Sequence, residues 1–286
     1  MNDRHAYLII AYDNSRVLGR LIHALDDPRN DIYVHIDRKS GMGACLPATE
    51  HSRLYPLQER IDARWGDVSL VEVEFLLLKE MLRHGEYQYC HFLSDSDFPV
   101  KSQDYIHDFC TRNSGKEFIG YAMYPGVGEE IDRKVRYRHL FPREFRGGGI
   151  WRRMLRSAFL RFQTALRIRR NVNATFRKGC QWCSITGGFA KYICERKDGI
   201  LKTYSHTFCP DEIFIQTACW NSEYRDRIYR PDDEYGGCLR FIKWKDGIIR
   251  PITEGDMDAM AGSDAWFARK FDGTQTALLD EISERL

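Results

Sequence analysis

The chain has 286 residues, 43% of them hydrophobic and 13% aromatic, enough for one large domain or two small ones around a substantial core. Lys and Arg number 43 against 41 for Asp and Glu, a net charge of +2, which predicts no nucleic-acid partner. No apolar run reaches the ~20 residues of a membrane span, and Met1-Asn2-Asp3-Arg4-His5 lacks the apolar stretch of a secretory leader, so a cytoplasmic location is expected.

The first 120 residues alternate strand and helix. His5 to Tyr12 is a near-continuous apolar run, the pattern of a buried parallel strand. Asp13-Asn14-Ser15 is suited to capping a helix that runs through Val17, Leu18, Leu21, Ile22 and Leu25. Ile32 to Asp37 reads as a second strand, ending in an acid. Ser69 to Leu82 is a helix with Leu70, Val73, Leu77, Leu78 and Met81 on one face. Tyr87 to Ser94 and Lys116 to Tyr121 are further predicted strands. This alternation predicts an α/β sheet with helices on both faces. Ligands of such sheets bind at the carboxyl ends of the strands, where Asp13, Asp37, Asp95 and Asp97 fall. His35 points into the core by strand alternation.

The middle breaks the rhythm. From Arg143 to Lys178 there are ten arginines and few acids, interleaved with Leu155, Phe159, Leu160, Phe162 and Leu166. This predicts a basic amphipathic helix after Gly147-Gly148-Gly149. It is either a solvated face or a surface for an anionic membrane or an anionic polymer. Trp182 to Thr186 is strand-like, and Gly187-Gly188 opens another helix. Cys180 and Cys183 form a CxxC among nine cysteines, without a second ligand pair of zinc type. The cysteines are expected to be mostly reduced and to serve as small apolar residues.

Phe208-Cys209-Pro210-Asp211-Glu212-Ile213-Phe214-Ile215-Gln216-Thr217 is the most informative run. Pro210 suits a first helical turn, Ile213, Phe214 and Thr217 would anchor the helix, and its dipole would keep Glu212 ionised. Glu212 is then either an ordinary helix-start acid or a rigidly held base. Asp95-Ser96-Asp97 is either a metal-binding carboxylate pair or a polar turn before Pro99. No glycine-rich phosphate loop occurs, so side chains must grip any phosphate. Arg250 and the Arg269-Lys270 pair are available for that task.

Taken in order, several segments resemble one family. They are His5 to Tyr12, Tyr33-Val34-His35-Ile36-Asp37, Arg64-Trp65-Gly66-Asp67-Val68-Ser69-Leu70-Val71-Glu72, Phe92 to Ser102, Pro210-Asp211-Glu212, and Trp266-Phe267-Ala268-Arg269-Lys270-Phe271-Asp272. The family is the Core-2/I-branching β-1,6-N-acetylglucosaminyltransferases with their peptide O-xylosyltransferase relatives. The resemblance implies an α/β, GT-A-like fold in a single domain over 1–286, with a mixed central sheet. Residues 1–122 would form a Rossmann-like nucleotide-sugar half, 143–178 a basic helical insertion, and 180–286 the acceptor and catalytic half.

It further implies an inverting transfer from a UDP-sugar, N-acetylglucosamine or xylose, without a metal or other cofactor. Glu212 is similar to the family's general base, with Asp211 left as the helix-start acid beside it. Lys270 and, less closely spaced, Arg250 match its diphosphate contacts. Asp37 matches the acid on the donor nucleoside, and Ala11, Tyr12, Arg64 and Trp65 belong to the same donor set. Asp97, Trp182 and Trp244 are assigned to the acceptor side. Gly is usual in the family where Asp95 stands here. That difference creates a DxD and keeps open a metal-dependent retaining transferase with Asp95 and Asp97 as ligands. A non-catalytic carbohydrate- or membrane-binding module is the other alternative. The absent stem and anchor suggest a bacterial-type enzyme. Its acceptor would be a glycan or a lipid-linked or surface-polysaccharide precursor, met at the inner face of the membrane through 143–178.

Overall fold

A computed structural model describes residues 3–43, 46–146 and 148–286. Gly147, the first glycine before the basic helix, and Cys45 lie outside the described residues. The chain runs β1 (His5–Ala11), α1 (Ser15–Ala24), β2 (Asn30–Ile36), β3 (Arg53–Pro56), α2 (Ser69–His84), β4 (Tyr89–Ser94), β5 (Asp97–Pro99) and α3 (Gln103–Arg112). It continues through α4 (Val127–Val135), α5 (Gly149–Ala165), β6 (Ser184–Thr186), α6 (Gly187–Cys194), α7 (Lys197–Tyr204), α8 (Phe214–Trp220) and α9 (Glu234–Cys238). It closes with β7 (Arg240–Ile242), β8 (Trp244–Lys245), β9 (Ile248–Ile249), α10 (Met257–Ala261), β10 (Phe267–Arg269) and α11 (Thr276–Glu284).

The central sheet has the order β3-β2-β1-β4-β6. Its first four strands are parallel, and β6 is antiparallel to β4, so the sheet is mixed as expected. Successive residues of β1 go to opposite faces. Leu8 joins Val71, Phe75, Phe92, Ile185 and Phe214 on the side of α2, α6 and α8. Tyr7 and Ile9 join Val17, Leu21, Ile106, Trp266 and Leu279 on the side of α1, α3 and α11. Two cores flanking one sheet explain why β1 is buried along its whole length. A second sheet, β5-β10-β7, brings the C-terminal segment against the end of β4, with Arg269 opposite Asp97. β8 and β9 form a separate hairpin.

The basic helix forms as α5, and the predicted strands and helices of the N-terminal half appear with small boundary shifts. Three local expectations change. Residues 116–121 form no strand, only bridges at Glu117 and Phe118. Here chains cross too closely to pair: a Cβ on Gly179 would lie 1.9 Å from the Gly120 carbonyl, and one on Gly120 2.2 Å from that of Glu234. Second, the Asn14 side chain does not cap α1; its amide donates to the Phe271 carbonyl instead. Third, Pro210–Glu212 is a separate 3-10 turn entered through Cys209 at a φ of 50°. Ile213, at a φ of -130°, breaks it from α8. Glu212 thus ends a short turn, two residues before α8, rather than opening a helix.

Candidate active site

The loop Arg64-Trp65-Gly66-Asp67 explains why the turn carrying Glu212 is rigid. Gly66 has a φ of +80°, and a Cβ there would come within 2.8 Å of the Phe208 ring. The Cys209 amide donates to the Gly66 carbonyl at 3.0 Å, and Trp65 meets Phe208 edge-on at 5.4 Å. On the other side the Gly179 amide donates to the Glu212 carbonyl at 2.9 Å.

The Glu212 side chain remains 34% exposed. Its Oε2 accepts from Lys134 Nζ at 3.1 Å and lies 3.5 Å from Lys178 Nζ. Both ammoniums also face Glu130, at 2.8 and 3.7 Å. Tyr124 hydroxyl donates to Glu130 and accepts from Lys178. Burial disfavours charge on both lysines, but Glu212 and the other acids outweigh it and raise their pKa values. The base candidate is therefore paired with two lysines that the sequence did not single out. Their one signal was the spacing of Glu130 and Lys134, which places both on one side of α4.

Asp211 is not a solvated helix-start acid. It is buried, with burial and then the charge of Glu212 pushing its carboxyl up to about 7. Glu74, fully buried on α2, is also raised, chiefly by burial against the hydrogen bond from Gln181, with Asp211 adding to the rise.

Several residues expected on the donor side lie at the ends of β1 and β2. Asp37 is buried; its carboxylate accepts from the Lys39 and Ala63 amides at 2.7 and 3.0 Å. Lys39 bridges Asp37 and Asp62, and its ammonium lies 5.8 Å over the Tyr12 ring. Arg64 and Arg143 both reach Asp62, whose pKa is depressed by the hydrogen bonds from Arg64 and Lys39. Ala11 is buried in β1, while Tyr12 and Trp65 are exposed. Lys39 and Asp62 were missed because nothing in their local sequence marks them.

The Asp95-Ser96-Asp97 carboxylates are both engaged by the protein. Asp95 Oδ2 accepts from the amides of Tyr12, Asp13 and Asn14 at 2.7, 3.0 and 3.0 Å. Asp97, fully buried, accepts from Ser94 Oγ at 2.7 Å and pairs with Arg269 at 3.3 Å. Arg269 in turn lies 4.3 Å over Trp182. Among the described residues no group of three or more acids, His and Cys could hold a metal ion. Cys180 and Cys183 are buried, as small apolar residues are.

Lys270 is exposed, and its carbonyl accepts from Ile252 at 2.9 Å. That bond draws the segment of exposed Arg250 alongside it. Trp244, exposed on β8, stays on the hairpin. A cleft of about 580 Å³ opens beside Lys178, lined by Met123, Ile131, Phe176, Arg177 and Trp220 among others. Among the described residues, no helix is long and apolar enough to cross a membrane.

Known proteins share this chain's pattern. It is 25% identical over 224 residues to xylosyltransferase oxt of Drosophila pseudoobscura pseudoobscura, covering 73% of this chain and 23% of that one. It is 22% identical to xylosyltransferase sqv-6 of Caenorhabditis elegans, over 91% of this chain and 33% of that one. It is 25% identical to beta-glucuronosyltransferase GlcAT14A of Arabidopsis thaliana, over 99% of this chain and 64% of that one. The chain thus spans about a quarter of the fly enzyme's length. The family model for the Core-2/I-branching enzyme matches residues 5–261. The chain belongs to the Core-2/I-branching family of glycosyltransferases.

Proposed function

We propose that the protein transfers a sugar from a UDP-sugar to an acceptor hydroxyl with inversion, using Glu212 as general base. Xylose and N-acetylglucosamine are the proposed donor sugars, and glucuronic acid joins them because of the plant relative's name. The proposed acceptor is a glycan or a lipid-linked or surface-polysaccharide precursor, met at the inner face of an anionic membrane.

One observation carries this reading: a carboxylate on a rigid turn, partly open to solvent, is paired with Lys134 and with Lys178, and Lys178 lines a cleft of about 580 Å³. In the proposed step Glu212 takes the acceptor proton as its oxygen attacks the anomeric carbon. The bond to the UDP oxygen breaks, and Lys270 and Arg250 neutralise the departing diphosphate. Glu130 keeps Lys134 and Lys178 partnered while Glu212 carries the proton. No second carboxylate is needed. Reading Asp95 and Asp97 as structural, rather than as metal ligands, is supported by their bonds to the loop after β1, to Ser94 and to Arg269.

The test is turnover of UDP-xylose, UDP-N-acetylglucosamine and UDP-glucuronic acid by Glu212→Gln, with UDP affinity measured by calorimetry. A loss of roughly 10²–10⁴-fold with UDP binding retained is expected. A near-wild-type rate would remove Glu212 as base.

A further inference from the structure

α5 half-buries Phe159 and Leu160 on its inward side but leaves exposed an apolar stripe that a helix belonging only to a globular core would cover. Such a helix turns its apolar stripe inward. The buried residue of α5 is instead Gln163, whose amide exchanges hydrogen bonds with the Arg138 backbone at 2.9 and 3.0 Å. About a third of a turn round the helix from it, Trp151, Leu155, Ala158 and Phe162 follow at i, i+4, i+7 and i+11, which is one side of a helix. Trp151 is 77% exposed, Leu155 54% and Phe162 55%. Ile150 and Met154 widen the stripe and are exposed as well. Exposed arginines border it, Arg153 and Arg161 among them, and there is no Asp or Glu between Glu144 and Glu195.

We infer that this outward face is an in-plane anchor for an anionic lipid surface. Trp, Phe, Leu and Met enter the acyl boundary while arginines meet the headgroups. A second copy of the chain is a poor occupant, because two such faces would oppose arginines with no acid between them. A soluble polyanion would satisfy the arginines and leave the apolar stripe in water.

The anchor adjoins the site. The Arg146 guanidinium lies 4.1 Å over Trp65, and the Phe145 ring packs tilted at 4.4 Å from Phe208, two residues before the turn carrying Glu212. A docked enzyme therefore meets an acceptor whose sugar is held at the bilayer surface. This last step rests on the transferase reading above; the docking itself does not.

The experiment is sedimentation of the full chain with phosphatidylglycerol–phosphatidylcholine vesicles at low salt, beside vesicles of phosphatidylcholine alone. Retention on the anionic vesicles, with a blue shift of tryptophan emission, is expected. Trp151→Ser/Leu155→Ser/Phe162→Ser should weaken retention roughly tenfold or more while leaving the melting curve and turnover of a soluble acceptor intact. Failure of the parent protein to bind overturns the inference. Equal binding by the triple variant also overturns it and leaves a polyanion site, which heparin binding would report. Concentration-dependent dimerisation abolished by the triple variant overturns it in favour of self-association. Vesicle binding is read without turnover, so it stands or falls separately from Glu212 as base.

Discussion

Lys134 Nζ lies 3.1 Å from Glu212 Oε2 and 2.8 Å from Glu130 Oε1, so one nearly buried ammonium joins α4 to the turn that carries the proposed base. Lys178 braces the same two carboxylates from the opposite strand of chain. This arrangement fixes the direction of the Glu212 side chain.

Lys134→Met should destabilise the fold, because it leaves Glu130 and Glu212 with less compensation beside each other. Removing one partner of a fully buried pair costs about 3–5 kcal/mol. Both carboxylates are a quarter to a third exposed, so about 1–2 kcal/mol is expected after solvent screening. Urea denaturation measures it. Adding Glu130→Gln should recover part of the loss, and no recovery would mean the lysine acts through packing alone.

Asp211 predicts a pH signature. Its folded pKa is raised to about 7, against about 3.9 in an unfolded chain. The folded protein therefore holds a proton there that the unfolded chain has released. The resulting stability is present below the unfolded value and lost as pH rises toward 7. Above pH 7 Asp211 places a second negative charge beside the proposed base. Turnover should accordingly rise through an inflection near pH 7. In Asp211→Asn the inflection should vanish and the stability curve should flatten between about pH 4 and 7. An unchanged rate profile would show that Asp211 does not couple to the base.

Asp95 anchors the loop after β1 through three amides. Hydrogen bonds to a charged group contribute about 1.5–3 kcal/mol each at most, and they are not additive. Asp95→Ala should cost about 3 kcal/mol by denaturation and raise KM for the UDP-sugar through Tyr12. Asp95→Asn should retain part of this. EDTA should leave wild-type turnover intact. Loss of turnover that Mn²⁺ restores would instead make Asp95 and Asp97 ligands.

Much of the architecture was legible in the chain because it depends on local pattern. The apolar run at His5–Ala11, the periodicity of Ser69–His84 and the arginine-rich run each specify an element through neighbours a few residues away. The family resemblance singled out Glu212 for the same reason: Pro210-Asp211-Glu212 is contiguous. What the sequence could not contain were relationships formed by distant backbone. The pairing of Glu212 with Lys134 and Lys178 arises where α4 and residues 178–179 close on one turn. The burial that raises Asp211 comes from the same closure. The three amides of the loop after β1 that Asp95 anchors are likewise invisible in the DxD pattern. The arginines of α5 were visible from the start, but only packing through Gln163 decided that Trp151, Leu155 and Phe162 face water. Period specifies that a helix has two faces; which face is covered is decided by what the rest of the chain brings against it.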